Sequence, residues 1–412
     1  MRSFHFVDNS CYRRQEEVSM VRRFFLSNGW TESATVENAD CVILFTCAEM
    51  RYKAANMIGE VERLSARIGR DSELIVGSCL PKTNKEALAK VFSGRTITPT
   101  DFSALNALPQ IKVKIEDMPP VFGRNAAFRP FPARNRWSKG NAIPYGISRW
   151  ASRLMLRHLP FDGLKGLAIK LGRTRAMRIH VSAGCAKNCS YCAIHFATGQ
   201  VRSKPLEVIM QTISEGLRLG YRTFDLISDS IGSYGLDLGT DLGELFDRVL
   251  GHPDRFTIGI DDLHPHEFIR YFDGVFSLCS AGKMSYLYVP VQSGNERILG
   301  LMNRRCNVKD LTDKLLMMRH LGDVFLETSV IVGFPGETEA EFDDTVHFLK
   351  TVDFDNVFIH YYCDMPNTTS SILPDKTDKA TMVERLNRIN RSGIRHSVAA
   401  TRHEWDCNLA LP

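Results

Sequence analysis

The sequence predicts an α/β protein built from two successive strand–helix bodies. Three observations predict it. Short β-branched runs alternate with helical patterns over residues 1–117, the same alternation resumes at Met177 and runs to NVFIHYY, and 412 residues suit two or three domains. The apolar fraction of 44% is ordinary for a globular chain. No apolar run reaches membrane-spanning length. The N-terminus MRSFHFVDNSC lacks the apolar core and small-residue cleavage site of a signal peptide, so a cytoplasmic location is expected.

In the first body FHFVDNSC leads to Cys11, CVILFTC ends at Cys47 and LIVGSC ends at Cys79. The helical pattern AEMRYKAANMIGEVERLSARI follows the second run. Strand–helix alternation implies a parallel sheet, and such sheets bind ligands beyond the carboxyl ends of their strands. Cys11, Cys47 and Cys79 all fall at that edge, so three thiolates from three loops can converge on one cluster. The alternative is that each is a small apolar residue closing a strand. Cys41 faces differently on its strand and reads as structural.

Residues 118–176 read as an insertion or linker between the bodies. Over residues 118–178 there are 13 Lys and Arg against one acid, a net charge of +12 in a chain of net +5. PPVFGRNAAFRPFPARNRW is Pro- and Arg-rich and irregular, and GISRWASRLMLRHL with GLKGLAIKLG reads as two basic amphipathic pieces. Such a segment grips an acidic peptide or protein, binds phosphates, or forms a solvated face over the second body.

The second body spans residues 177–374. It opens with MRIHVSAGC and continues through KPLEVIMQTISEGLRLG, TFDLISDS, LGELFDRVLG and RFTIGI. Beyond it, residues 375–412 read as a helical tail, KATMVERLNRINRSGIRHSVAATRHEWD, with Met382, Leu386 and Ile389 on one face and no strands after it.

The strongest chemical signal is GCAKNCSYCAIHFATG, Gly184 to Gly199, with Cys185, Cys189 and Cys192 spaced C-x3-C-x2-C. Three thiolates this close can hold three irons of a four-iron cluster and leave the fourth open to chelate a substrate. Eleven cysteines in a chain without secretory features favour metal or thiol chemistry over a disulfide scaffold. A zinc knuckle or simple buried thiols are the competing readings, but zinc sites usually add a second ligand pair, and none lies close in sequence.

This loop, with Tyr191 before its last cysteine, closely resembles that of the radical S-adenosylmethionine (SAM) superfamily. FTCAEMRYKAA, VGSCLPK and NSCYRRQEEVSM resemble the N-terminal signatures of its methylthiotransferases. ISDSIGSYGLDLG, YVPVQSGNERIL and IVGFPGETEAEF are similar to later motifs, nearest to the branch that modifies a ribosomal-protein aspartate. The resemblance covers roughly residues 1–100 and 178–370. It implies an open (β/α)6 partial barrel after the N-terminal sheet, with the cluster loop following its first strand. It also implies two 4Fe–4S clusters, one on Cys185, Cys189 and Cys192 and one on Cys11, Cys47 and Cys79. Tyr191, Asp229, Ser230, Gln292 and Gly333 are then the cofactor-binding positions.

Three departures from the family pattern stand out. Arg14 takes the place of an Asn three residues after the first cysteine. Asp229 takes the place of a Gln, where it is expected to face the SAM ammonium. The small RNA-binding β-barrel usual at the family's C-terminus is expected to be absent, which turns the expectation toward an acidic peptide or protein substrate. The implied reaction inserts sulfur or a methylthio group at an unactivated carbon, after one electron from a reductant such as flavodoxin or ferredoxin cleaves SAM. Methylthiolation of a transfer-RNA base and a non-catalytic iron–sulfur binding protein are the alternatives.

Overall fold

The structure is a computed structural model and describes residues 2–119, 176–322 and 324–398. The basic segment read at residues 118–176 lies almost wholly outside the described residues. In the first body a five-stranded parallel sheet runs in the order β2-β1-β3-β4-β5, with β1 at Ser3–Asp8, β2 at Thr31–Glu32, β3 at Cys41–Thr46, β4 at Glu73–Ser78 and β5 at Arg95–Thr96. The run CVILFT is buried at every position, as a central parallel strand covered on both faces must be. Helix Gln15–Ser27 packs Val21, Phe24 and Phe25 onto Phe4, Ile43 and Phe45 on one face. Helix Arg51–Arg67 packs Ile58, Val61 and Leu64 onto Val42, Leu44 and Val76 on the other. Cys41 is a core residue at the amino end of β3, as its structural reading required.

The strand order reverses between β1 and β3, the place where doubly wound sheets open a crevice at their carboxyl ends. Cys11 follows β1 and Cys47 follows β3, so topology alone brings these two thiols to that crevice.

The second body is a parallel sheet formed by β6 (Met177–His180), β9 (Thr223–Ile227), β10 (Thr257–Ile260), β11 (Met284–Tyr288), β12 (Phe325–Val332), β13 (Asn356–Tyr361) and β14 (His396–Val398), adjacent in that order. The first six strands match the expected partial barrel. A short antiparallel ribbon of β7 (Ser182–Ala183) and β8 (Arg202–Ser203) brackets the cysteine loop after β6. Helices cover the sheet, and several start at side-chain caps. Asp241 accepts the N–H of Gly243 at 2.9 Å, and Thr338 and Glu341 form a reciprocal capping box. Each cap contributes about 1 kcal/mol.

The C-terminal expectation needs correction. The helix ends at Arg391 rather than running on, and His396–Val398 adds β14 parallel to β13. Gly393, at φ 77°, breaks the helix by turning left-handed. Leu386 and Ile389 do face the core. Arg385 also anchors the helix, donating to Glu337 at 2.8 Å, with both side chains at most 3% exposed. Among the described residues no helix is long and apolar enough to cross a membrane.

Candidate active site

Local backbone geometry shapes the loop that carries the first cysteine set. Gly184 sits at φ 86°, and a Cβ there would lie 2.1 Å from the Gln200 carbonyl oxygen. Only glycine lets the chain turn from β7 into the loop. Backbone bonds hold the rest: Cys185 N–H to Gly199 O at 3.2 Å, Cys192 N–H to Cys189 O at 3.1 Å and Ser190 N–H to Met302 O at 3.0 Å. A Gly184→Ala change is therefore expected to abolish iron loading of this set while both sheets still form. The dihedral alone costs about 1–2 kcal/mol, and the clash with a backbone carbonyl adds to it. Iron assay together with far-ultraviolet circular dichroism checks this; full iron content in the variant would contradict it.

Cys185, Cys189 and Cys192 line one cavity of about 230 Å³. Burial pushes the Cys185 thiol up to about 11 and the Cys192 thiol up to about 12, so both are protonated until a metal displaces the proton. Among the described residues no three His, Cys, Asp or Glu side chains converge as one metal ion would require. A four-iron cluster asks less, since each thiolate need only reach its own iron.

The same cavity receives most of the expected cofactor positions. Tyr191, Asp229, Ser230 and Gln292 all line it. Gln292 stands at φ 74°, and its Nε2 donates to Ser329 Oγ at 3.0 Å. Its Oε1 is buried with no hydrogen-bond partner, on a residue that lines the cavity. Strain and an orphaned acceptor at one residue fit a SAM-binding role. Gly333 is different: it does not line the cavity. Its φ of 84° and the approach of Met382 Cγ, 2.6 Å from a would-be Cβ, make it a packing glycine under the C-terminal helix.

The second set gathers at the carboxyl edge of the first sheet. Cys47 directly follows β3 and Cys79 directly follows β4. Cys11 hydrogen-bonds Cys47, which raises the Cys11 thiol and lowers that of Cys47. Burial pushes Cys79 up to about 12. None of the three lines the cavity itself, but their neighbours Arg13, Glu49 and Met50 do, so both bodies wall the same space. Burial opposes the Glu49 charge, yet Lys53 holds that carboxyl down to about 2.

Several site residues escaped the sequence. Arg304, 6% exposed, donates to Cys189 Sγ at 3.3 Å. Tyr12 bonds Asp261, and Arg13 pairs with Asp262 at 3.0 Å. The run Tyr12–Arg13–Arg14 straight after Cys11 was the available signal for the contacts between the bodies, but those of Tyr12 and Arg13 join residues 249 apart, Arg304 reaches Cys189 from another loop, and none has a local period.

The comparisons agree with this anatomy. The sequence matches the radical SAM superfamily over residues 179–349 and the uncharacterised protein family UPF0004 over residues 4–98. It is similar to the tRNA-2-methylthio-N(6)-dimethylallyladenosine synthase of Bacillus cereus (strain B4264), 26% identical over 395 residues, covering 94% of this chain and 71% of that protein. The Bacillus anthracis protein of the same name is 25% identical over the same shares. In fold, the chain resembles the radical SAM methyltransferase TsrM of Kitasatospora setae, with TM-score 0.56, 13% identity and 90% and 74% of the two chains covered. It also resembles the cobalamin-dependent radical SAM enzyme OxsB, with TM-score 0.52, 11% identity and 96% and 56% covered. With the cysteine loop following the first strand of a parallel partial barrel and a second thiol set at the carboxyl edge of the other sheet, the chain carries a radical SAM domain and is similar to the methylthiotransferases.

Proposed function

We propose that this chain transfers a methylthio group to an unactivated carbon of a transfer-RNA base. The observation that carries the reading is the shared cavity: the first body contributes Arg13, Glu49 and Met50 to the space that Cys185, Cys189 and Cys192 line. SAM and two 4Fe–4S clusters supply the radical and the sulfur; Cys185, Cys189 and Cys192 would hold one cluster, and Cys11, Cys47 and Cys79 the other. The protein's own part is placement. Gln292 Oε1 offers an acceptor, Arg304 places positive charge beside Cys189, and the walls keep a reactive carbon from water.

The substrate expectation shifts here. The expectation of a peptide rests chiefly on the expected absence of the family's RNA-binding barrel. The relatives that span 94% of the chain are named for a transfer-RNA adenosine, which favours the nucleic-acid alternative. Tyr191, Tyr288, Tyr361 and Tyr362 line the cavity, and aromatic faces suit a splayed base. The net +12 of residues 118–178 suits phosphates, the second of the readings open for that segment. Nucleosides from transfer RNA of cells with and without the gene, compared by mass spectrometry, test this. Gain of one sulfur and one methyl on an adenosine is expected. Unchanged transfer RNA alongside a thiolated peptide would reverse it.

A further inference from the structure

Two departures from the family pattern, Arg14 and Asp229, turn out to touch. The Arg14 guanidinium pairs with Asp229 Oδ1 across the two bodies, and its other arm holds Glu17 Oε1 at 2.7 Å. Asp229 Oδ2 accepts the Gly184 N–H at 2.8 Å. Gly184 immediately precedes Cys185. Arg14 follows Cys11 by three residues and donates its backbone N–H to Cys11 O at 3.0 Å. An unbroken line of contacts thus runs from Cys11 through Arg14, Asp229 and Gly184 to Cys185. The Arg14 and Asp229 side chains are 2% and 4% exposed.

We propose that Arg14 and Asp229 are positioning residues that fix the separation of the two cysteine sets, the second replacement matching the first. The inference rests on the two-cluster reading above. A buried ion pair holds its geometry firmly, because losing one partner strands a charge in a dry interior. Arg14 leans on both sides: its backbone N–H donates to Cys11 O at 3.0 Å while its guanidinium grips Asp229, two residues past the end of β9. The neighbouring residues fasten the same segment to the barrel. Tyr12 bonds Asp261, Arg13 pairs with Asp262 at 3.0 Å, and Glu16 accepts from Lys204 at 2.6 Å. Group transfer between two centres depends on their being held near contact, so a fixed separation has a direct catalytic use.

The assignment changes the reading of Asp229. Its carboxylate is not a lone anion waiting for the SAM ammonium, since both oxygens already accept from this chain. A Gln there could not pair with Arg14 as an ion, and an Asn at position 14 could not pair with Asp229 as one, so the two changes make sense together.

The test uses the full chain with both clusters reconstituted and reduced, and reads the magnetic interaction between them by pulsed electron paramagnetic resonance. Arg14→Met and Asp229→Asn should each weaken that interaction. Arg14→Lys should restore most of it, and the double variant should be no worse than Arg14→Met alone, because both changes cut one link. Asp229→Asn retains an acceptor for Gly184, so it remains informative if Arg14→Met fails to fold. Variants that load both clusters and keep the unaltered interaction would overturn the proposal. An unaltered chain that loads only one cluster would remove the premise and the proposal with it, a result visible before any variant is made.

Discussion

Replacing Cys185, Cys189 and Cys192 together with Ala is expected to lower the iron content of the anaerobically reconstituted chain from about eight to about four per molecule. It is also expected to abolish reductive cleavage of SAM. The loop gives all three thiols to one cavity and fixes them through backbone bonds that the substitutions leave in place. The sheet beneath does not depend on them: β6 and β9 are held by Met177, Ile179, Phe224 and Leu226, all buried in the main core. The triple variant should therefore fold, keep the second cluster and lose the chemistry. Iron and sulfide assays, with chromatography of 5′-deoxyadenosine, provide the measurement. Iron near zero would mean that Cys11, Cys47 and Cys79 hold no independent site; surviving cleavage would mean that the loop does not bind SAM.

Much of this site was legible because its signals are local or periodic. The C-x3-C-x2-C spacing lies within one loop and needs no knowledge of the fold. Cys11, Cys47 and Cys79 could be placed because short buried strands read clearly, and parallel topology sends their carboxyl ends to one edge. The ion pairs between the bodies were not legible. Arg14 and Asp229 each stood out as an oddity, but nothing at either position says that the other is its partner 215 residues away. Arg304 reaches Cys189 from a different loop, again a product of tertiary packing. The C-terminal strand was missed for another reason. His396–Val398 is three residues long, too short to show a strand period, and it follows a helix whose amphipathic pattern reads on past Gly393. Gly333 lies in a motif similar to the family's, and its left-handed turn sits under Met382 rather than in the cavity wall.

The two cysteine sets should also separate by function. Cys47→Ala is expected to leave SAM cleavage intact and to end formation of the thiolated product. Cys47 sits just past the end of β3 and is only partly buried, so removing its sulfur opens no core cavity; the stability change should stay within about 1 kcal/mol. What it removes is one of three donors, the one whose thiol Cys11 hydrogen-bonds and holds nearest to the thiolate. A substrate radical would then form with no sulfur held beside it. Cys41→Ala is the matched control. That thiol is 1% exposed in the core at the amino end of the same strand, so its loss should cost about 1–2 kcal/mol of stability while iron content and product persist. Deoxyadenosine and modified nucleoside measured in the same reaction give the decisive ratio. A Cys47→Ala enzyme that still attaches sulfur would show that the edge of the first sheet does not supply it, because no other change in that variant touches the strand that delivers Cys47 toward the shared cavity.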